Sequence, residues 1–243
     1  MTSFVVAYRG GKFQTVASNV DWFLRVVEWG RKKVLLGQRK AHQEVFEDAI
    51  YEMRWDGRTV KEMRRAGTPK GCTVFGLAPF EYQGQIYFAF IDHMKRLKAA
   101  DSKGKTLWRG RATYGSNNSF QAKPALRAEA YYEGDEMAFV NVRLISQGNE
   151  ILIIRNLSPV GDLFKGQKVF SGAEIQNLAW NGAMLMERWK SPEIPGYVAD
   201  IQMGDFNGDR TRELVVAVNL AGESIFSRSP GSALMISRMG GSS

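Results

Sequence analysis

Met53-Arg54-Trp55-Asp56-Gly57-Arg58-Thr59-Val60-Lys61-Glu62 reads as two short strands around an Asp-Gly turn. Leu178-Ala179-Trp180-Asn181-Gly182-Ala183-Met184-Leu185-Met186-Glu187 is the same phrase 125 residues on, with Asn-Gly at the turn and Trp and Glu at matching places. Weaker relatives are Tyr8-Arg9-Gly10-Gly11-Lys12-Phe13, Asp101-Ser102-Lys103-Gly104-Lys105-Thr106-Leu107-Trp108 and Ser227-Arg228-Ser229-Pro230-Gly231-Ser232-Ala233-Leu234. The turn glycines Gly10, Gly57, Gly104, Gly182 and Gly231 fall at intervals of 47, 47, 78 and 49 residues.

Between these turns lie short apolar runs such as Ile86-Tyr87-Phe88-Ala89-Phe90-Ile91, Ile151-Leu152-Ile153-Ile154 and Leu214-Val215-Val216-Ala217-Val218. They are rich in β-branched and aromatic residues and flanked by turn formers, and helical periodicity is nearly absent, so the chain is read as all-β. Each repeat holds four strands in roughly 47 residues, a period that marks the blades of a β-propeller. A lone four-stranded blade cannot bury both faces, so blades must stack around an axis. The expected organisation is one propeller domain over 1–243, with a half blade at 4–17 and full blades near 20–64, 72–109, 138–189 and 197–238. An insertion is expected near 111–134, where the long interval falls. The spacing leaves two closures open. Either the long interval supplies a further hairpin and five blades close, or the chain is part of a seven-bladed ring completed by missing blades or another chain.

Composition narrows the function classes. Apolar residues make up 44% and charged residues 24% of 243, which suits a globular chain and argues against disorder. No apolar run reaches the ~18 residues of a spanning helix, so no transmembrane segment is expected, and no secretory signal is visible at the N-terminus. Cys72 is the single cysteine, and it is expected in the core. With only His42 and His93, a His-rich zinc site has little material, and His93 is read as a turn residue. Gly104-Lys105-Thr106 resembles the end of a P-loop, but Ala99 stands where its first glycine belongs and a hairpin turn rather than a helix follows. Asn117-Asn118-Ser119 matches a glycosylation sequon, a pattern short enough to arise by chance. Trp55 and Trp180, just before matching turns, are expected to pack between blades.

The formal net charge of +8 is unevenly spread. Residues 1–123 carry 22 Lys and Arg against 11 Asp and Glu, and residues 124–243 carry 11 against 14. Scattered pairs such as Arg39-Lys40, Arg64-Arg65 and Lys95-Arg96 read first as solvated strand edges, where lysine also deters edge pairing. The sharper reading is a positive face for nucleic acid or a membrane surface.

Chemistry concentrates in Gly204-Asp205-Phe206-Asn207-Gly208-Asp209-Arg210-Thr211-Arg212-Glu213. Asp205, Asn207 and Asp209 offer oxygens at alternate positions, Thr211 a carbonyl, and Glu213 a closing carboxylate, the hard oxygen set that Ca²⁺ prefers. Arg210 stands where such loops usually carry glycine, and an arginine should resist the left-handed turn. The competing reading is an Asx-rich turn that orders the hairpin by itself.

The stretch from Val198 to Val218, with its Gly-Asp-Phe-Asn-Gly-Asp core, resembles an FG-GAP/VCBS repeat of the integrin-α-like propeller class. Arg25-Val26-Val27, Val34-Leu35-Leu36-Gly37-Gln38, Tyr51-Glu52-Met53-Arg54-Trp55-Asp56-Gly57, Leu107-Trp108, Ser171-Gly172-Ala173-Glu174-Ile175 and Gly196-Tyr197-Val198-Ala199-Asp200 are similar to blade text of bacterial proteins of that class. The resemblance implies Ca²⁺ in blade loops and a periplasmic or extracellular adhesion or scaffold module. Metal binding carries over only to 205–213. The corresponding loops Pro79-Phe80-Glu81-Tyr82-Gln83-Gly84-Gln85, Ser146-Gln147-Gly148-Asn149-Glu150 and Glu28-Trp29-Gly30-Arg31-Lys32-Lys33 lack the acidic ladder. The expected function is a non-enzymatic scaffold docking a protein or glycan partner through blade loops. The alternatives are an anionic partner on the basic half and an enzyme using the central funnel.

Overall fold

A computed structural model describes residues 3–41, 45–114, 116–122, 137–158, 170–220 and 231–238, with backbone alone for 116–122 and 137–139. The chain begins with a hairpin of β1 (Ser3–Arg9) and β2 (Lys12–Val20), which forms a sheet of its own. The first blade follows in simple order: β3 (Phe23–Trp29), β4 (Lys32–Gln38), β5 (Ile50–Trp55) and β6 (Val60–Arg65). The second repeats it with β7 (Leu77–Tyr82), β8 (Gln85–Ile91), β9 (Arg96–Asp101) and β10 (Thr106–Thr113). A separate pair, β11 (Ser116–Ala122) and β12 (Met137–Asn141), precedes the third blade. That blade holds β13 (Leu144–Gln147), β14 (Glu150–Leu157), β15 (Gly172–Trp180) and β16 (Leu185–Lys190), with the two-residue β17 (Ile194–Pro195) added to β15. The fourth has three described strands, β18 (Tyr197–Gly204), β19 (Glu213–Asn219) and β20 (Ser232–Arg238). Every pairing is antiparallel, and no helix occurs among the described residues. None is therefore long and apolar enough to cross a membrane.

Four small sheets stand in a ring, the arrangement of a four-blade propeller. The four full blades expected from the repeats are thus present, and the closure that spacing left at five or seven is made by four sheets. The long interval between Gly104 and Gly182 contains the β11–β12 pair, which packs beside β18. Of the segment expected as an insertion, 115 and 123–134 lie outside the described residues, as does His42.

The repeated phrase has one physical cause. In β5–β6, Asp56 Oδ1 accepts from the Arg58 and Thr59 N–H groups at 2.9 and 2.8 Å, with Gly57 at φ 96°. Between β15 and β16, Asn181 Oδ1 accepts from Ala183 and Met184 at 3.0 and 2.9 Å, with Gly182 at φ 98°. Asp101 does the same for Lys103 and Lys105, both at 2.9 Å, with Gly104 at φ 82°. One short acceptor side chain and one left-handed glycine build the outer hairpin of three blades. Gly231 does not share this role; it precedes β20 and has no positive φ.

Apolar contacts join the first blade to the second through Val27, Leu36, Phe88 and Phe90. A larger cluster, including Phe80, Ile153, Trp180, Ile201 and Val216, unites the second, third and fourth. Neither cluster spans the first and fourth blades. There Arg212 and Glu28 form an ion pair at 3.1 Å.

Trp180 is 1% exposed and meets Phe80 and Tyr87 of the neighbouring blade at centroid distances of 6.1 and 5.9 Å, as its place before the turn predicted. Trp55, its repeat counterpart, is only half-buried. Trp180→Ala should therefore cost about 3–5 kcal/mol, and Trp55→Ala less than half of that. Trp180 Nε1 is buried without a partner, so Trp180→Phe should be far milder than Trp180→Ala. Urea melts of the three variants check the ranking, and equal losses at Trp55 and Trp180 would contradict it.

Candidate functional site

The innermost strands β3, β7, β13 and β18 surround a cavity of about 70 Å³. Arg25 and Glu28 come from β3, Arg143 and Ser146 from the start of the third blade, and Gln202 and Arg212 from the fourth. Arg25 is the central group. Its Nη1 donates to the carbonyls of Val74, Phe75 and Leu77 at 3.1, 2.5 and 2.9 Å, and its Nη2 to Leu144 at 2.5 Å. One planar guanidinium thus holds chain from three blades, a task suited to its fixed fork of donors. Burial, then the neighbouring Arg143, pushes the Arg25 pKa down to about 9, with Asp200 acting in the opposite direction.

The other two arginines have carboxylate partners. Arg143 reaches Asp200 and Gln202, both at 2.9 Å, and Arg212 reaches Glu28. Nothing in the sequence pattern singled out Arg25 or Arg143. Arg25 stands only within the Arg25-Val26-Val27 blade text, although an arginine between Phe23-Leu24 and Val26-Val27 on an inner strand is a signal that could find it.

The second candidate is the loop from Asp205 to Arg212, which takes the place of the two-residue inner turns of the other blades. Asp205 Oδ1 accepts from Gly208 at 2.7 Å and Oδ2 from Arg210 at 2.9 Å. Asn207 Oδ1 accepts from Asp209 at 2.9 Å, and Asp209 Oδ1 from Thr211 at 2.8 Å. Glu213 Oε2 receives the Phe206 N–H at 2.9 Å at the base of the loop. The structure thus gathers Asp205, Asn207 and Asp209 into one turn, with Thr211 as donor and Glu213 beneath it. Arg210 adopts the left-handed conformation at φ 67° that its side chain was expected to resist; its N–H bond to Asp205 offsets the strain.

Among the described residues no three His, Cys, Asp or Glu side chains converge as a metal cage. Most side-chain oxygens of the loop accept from its own N–H groups, and Arg238 places a guanidinium nitrogen 2.7 Å from Asp209 Oδ2. The Thr211 N–H, against a desolvation cost, and then Asn207 and Arg238 hold the Asp209 carboxyl below the usual carboxylate range. One acceptor departs from this pattern: Glu213 is 3% exposed and its Oε1 has no partner.

Cys72 is buried, as expected, and donates to the Pro69 carbonyl at 2.9 Å. Burial pushes its thiol up to about 12, which removes it as a ready nucleophile. In the basic half, Arg39, Lys61, Arg64 and Lys98 are paired with Glu62, Asp56, Glu52 and Asp92 at 2.7–3.0 Å.

A scan against protein-family models finds no match. A search of curated proteins finds none either. The fold defines an all-β, propeller-like protein of four blades.

The Arg25 staple should be essential to the ring. Arg25→Met leaves four carbonyls without their donor and should cost at least about 3 kcal/mol. Arg25→Lys should recover little, because an ammonium is a point charge rather than a fork. Calorimetric melting of both variants checks this, and a loss under about 1 kcal/mol for Arg25→Met would refute the staple.

Proposed function

We propose that the chain is a non-enzymatic binding scaffold that docks a polypeptide partner on the outer edge of its last blade. The observation that carries this reading is β20. It pairs with β19 on one side, and no described strand pairs with its other side. Leu234, Met235 and Ile236 on it are 71%, 46% and 62% exposed. An apolar strand whose outer main-chain groups no described strand takes up is a template for an added strand. The hairpin β1–β2 carries further exposed aromatics, Tyr8 and Phe13, whose rings lie tilted at 53° with centroids 5.0 Å apart. The FG-GAP/VCBS resemblance agrees with an exported bacterial module of this kind. The four paired cations of the basic half lend no support to a nucleic-acid or membrane face.

The edge reading is tested by Leu234→Lys combined with Ile236→Lys. These residues bury little, so the variant should melt within about 1 kcal/mol of wild type. It should lose a partner that wild type retains after crosslinking in its native host, with the crosslink mapped to β20. Retention of the same partner by the double variant would sink the proposal.

Calcium belongs to this reading through Asp205, Asn207, Asp209, Thr211 and Glu213. What supports it is the buried, unpartnered Glu213 Oε1 in a set of hard oxygens. A cation would have to displace Arg238 from Asp209, so Arg238→Ala should tighten binding. Millimolar Ca²⁺ against EGTA should raise the melting temperature of wild type, and that of Arg238→Ala further. A ligand at a hundredfold excess over its dissociation constant adds about 2.7 kcal/mol. Asp205→Ala with Asp209→Ala should remove the shift. Identical melts in Ca²⁺ and EGTA for both wild type and Arg238→Ala would end the calcium proposal.

A further inference from the structure

The axial cavity differs from both features used above. It lies where all four blades meet, and its charge is unbalanced. Three guanidiniums, from Arg25, Arg143 and Arg212, face two carboxylates, Glu28 and the Asp200 bound to Arg143. Arg143 and Arg212 each hold one of those carboxylates. Arg25 has none; its described acceptors are neutral carbonyls, and its Nε is buried without a partner. Carbonyl dipoles satisfy hydrogen bonds but carry no net charge, so a full positive charge remains at the axis.

We propose that this cavity binds one small oxyanion, a carboxylate or phosphate group, as the counter-charge to Arg25. Size limits the ligand. The cavity of about 70 Å³ exceeds the ~10–15 Å³ that one water needs on the same measure, which leaves room for an oxyanion group. Chemistry fits as well. Arginine forks match planar carboxylate and tetrahedral phosphate oxygens, and Ser146 and Gln202 in the lining add polar groups. Glu28 is the one lining carboxylate, and Arg212 already holds it. The consequence is mechanical. Because Arg212 and Glu28 form the polar seam between the first and fourth blades, an anion among these arginines ties the seam to Arg25 and the third blade. The inference stands on the cavity alone and is independent of docking at β20.

The test is calorimetric titration of the full chain with inorganic phosphate and with acetate at constant ionic strength in chloride. Saturable binding with a rise in melting temperature is expected. Arg143→Gln and Arg212→Gln should each weaken it about tenfold, the loss of one hydrogen bond to a charged group. Lys103→Gln, on the outer turn of the second blade, should leave it unchanged. Arg25 is not the test residue, since its loss threatens the fold. A capped peptide with a single glutamate separates the sources. Tighter binding than acetate assigns the carboxylate to a polypeptide, and weaker binding assigns a free anion. No saturable heat or melting shift with phosphate, acetate or the peptide would overturn the proposal. So would equal affinity in wild type, Arg143→Gln and Arg212→Gln.

Discussion

The Arg25 guanidinium is the contact on which the ring depends. The two buried clusters that join neighbouring blades are apolar, and such contacts supply area but little direction. The carbonyls of Val74 and Phe75, just before β7, and of Leu77 and Leu144 at the starts of their strands need donors. Arg25 meets all four, and so joins the first blade to the second and third. A neutral donor could satisfy two at most. The charge that comes with the fork is the cost of that geometry, and it makes the axis electropositive.

The ring is unequal around its circumference. Three blades share one large apolar cluster, and the first leans on the second through a smaller one. Neither cluster spans the junction between first and last blades, where Arg212 and Glu28 form an exposed ion pair. Exposed pairs contribute about 0–1 kcal/mol. The seam is therefore the blade boundary without a buried apolar cluster among the described residues, and it borders both the axial cavity and the 205–213 loop.

What could be read from sequence was local. The Asp56-Gly57 and Asn181-Gly182 turns are built by acceptor side chains two or three residues from their donors, so the repeat is written in the residues that make it. The same holds for 205–213, where Asp205, Asn207 and Asp209 bind their own loop. The axis was not legible in this way. Arg25 finds its partners 49–119 residues away, and those partners are main-chain carbonyls that any residue carries. Equal sequence roles also parted in space: Trp180 is covered by Phe80 and Tyr87, whereas Trp55 in the first blade is only half-buried.

Net charge takes on a different meaning from this geometry. The basic excess in residues 1–123 suggested a face for a large anion, yet Arg39, Lys61, Arg64 and Lys98 each lie against a carboxylate of the same half. A paired surface charge contributes little to the field a distant partner meets, and salt reduces it further. An unpaired charge in a narrow cavity acts in the other direction, because low-dielectric walls focus its field. By that argument Arg25, single and central among neutral carbonyls, differs in kind from the four surface cations that lie against carboxylates.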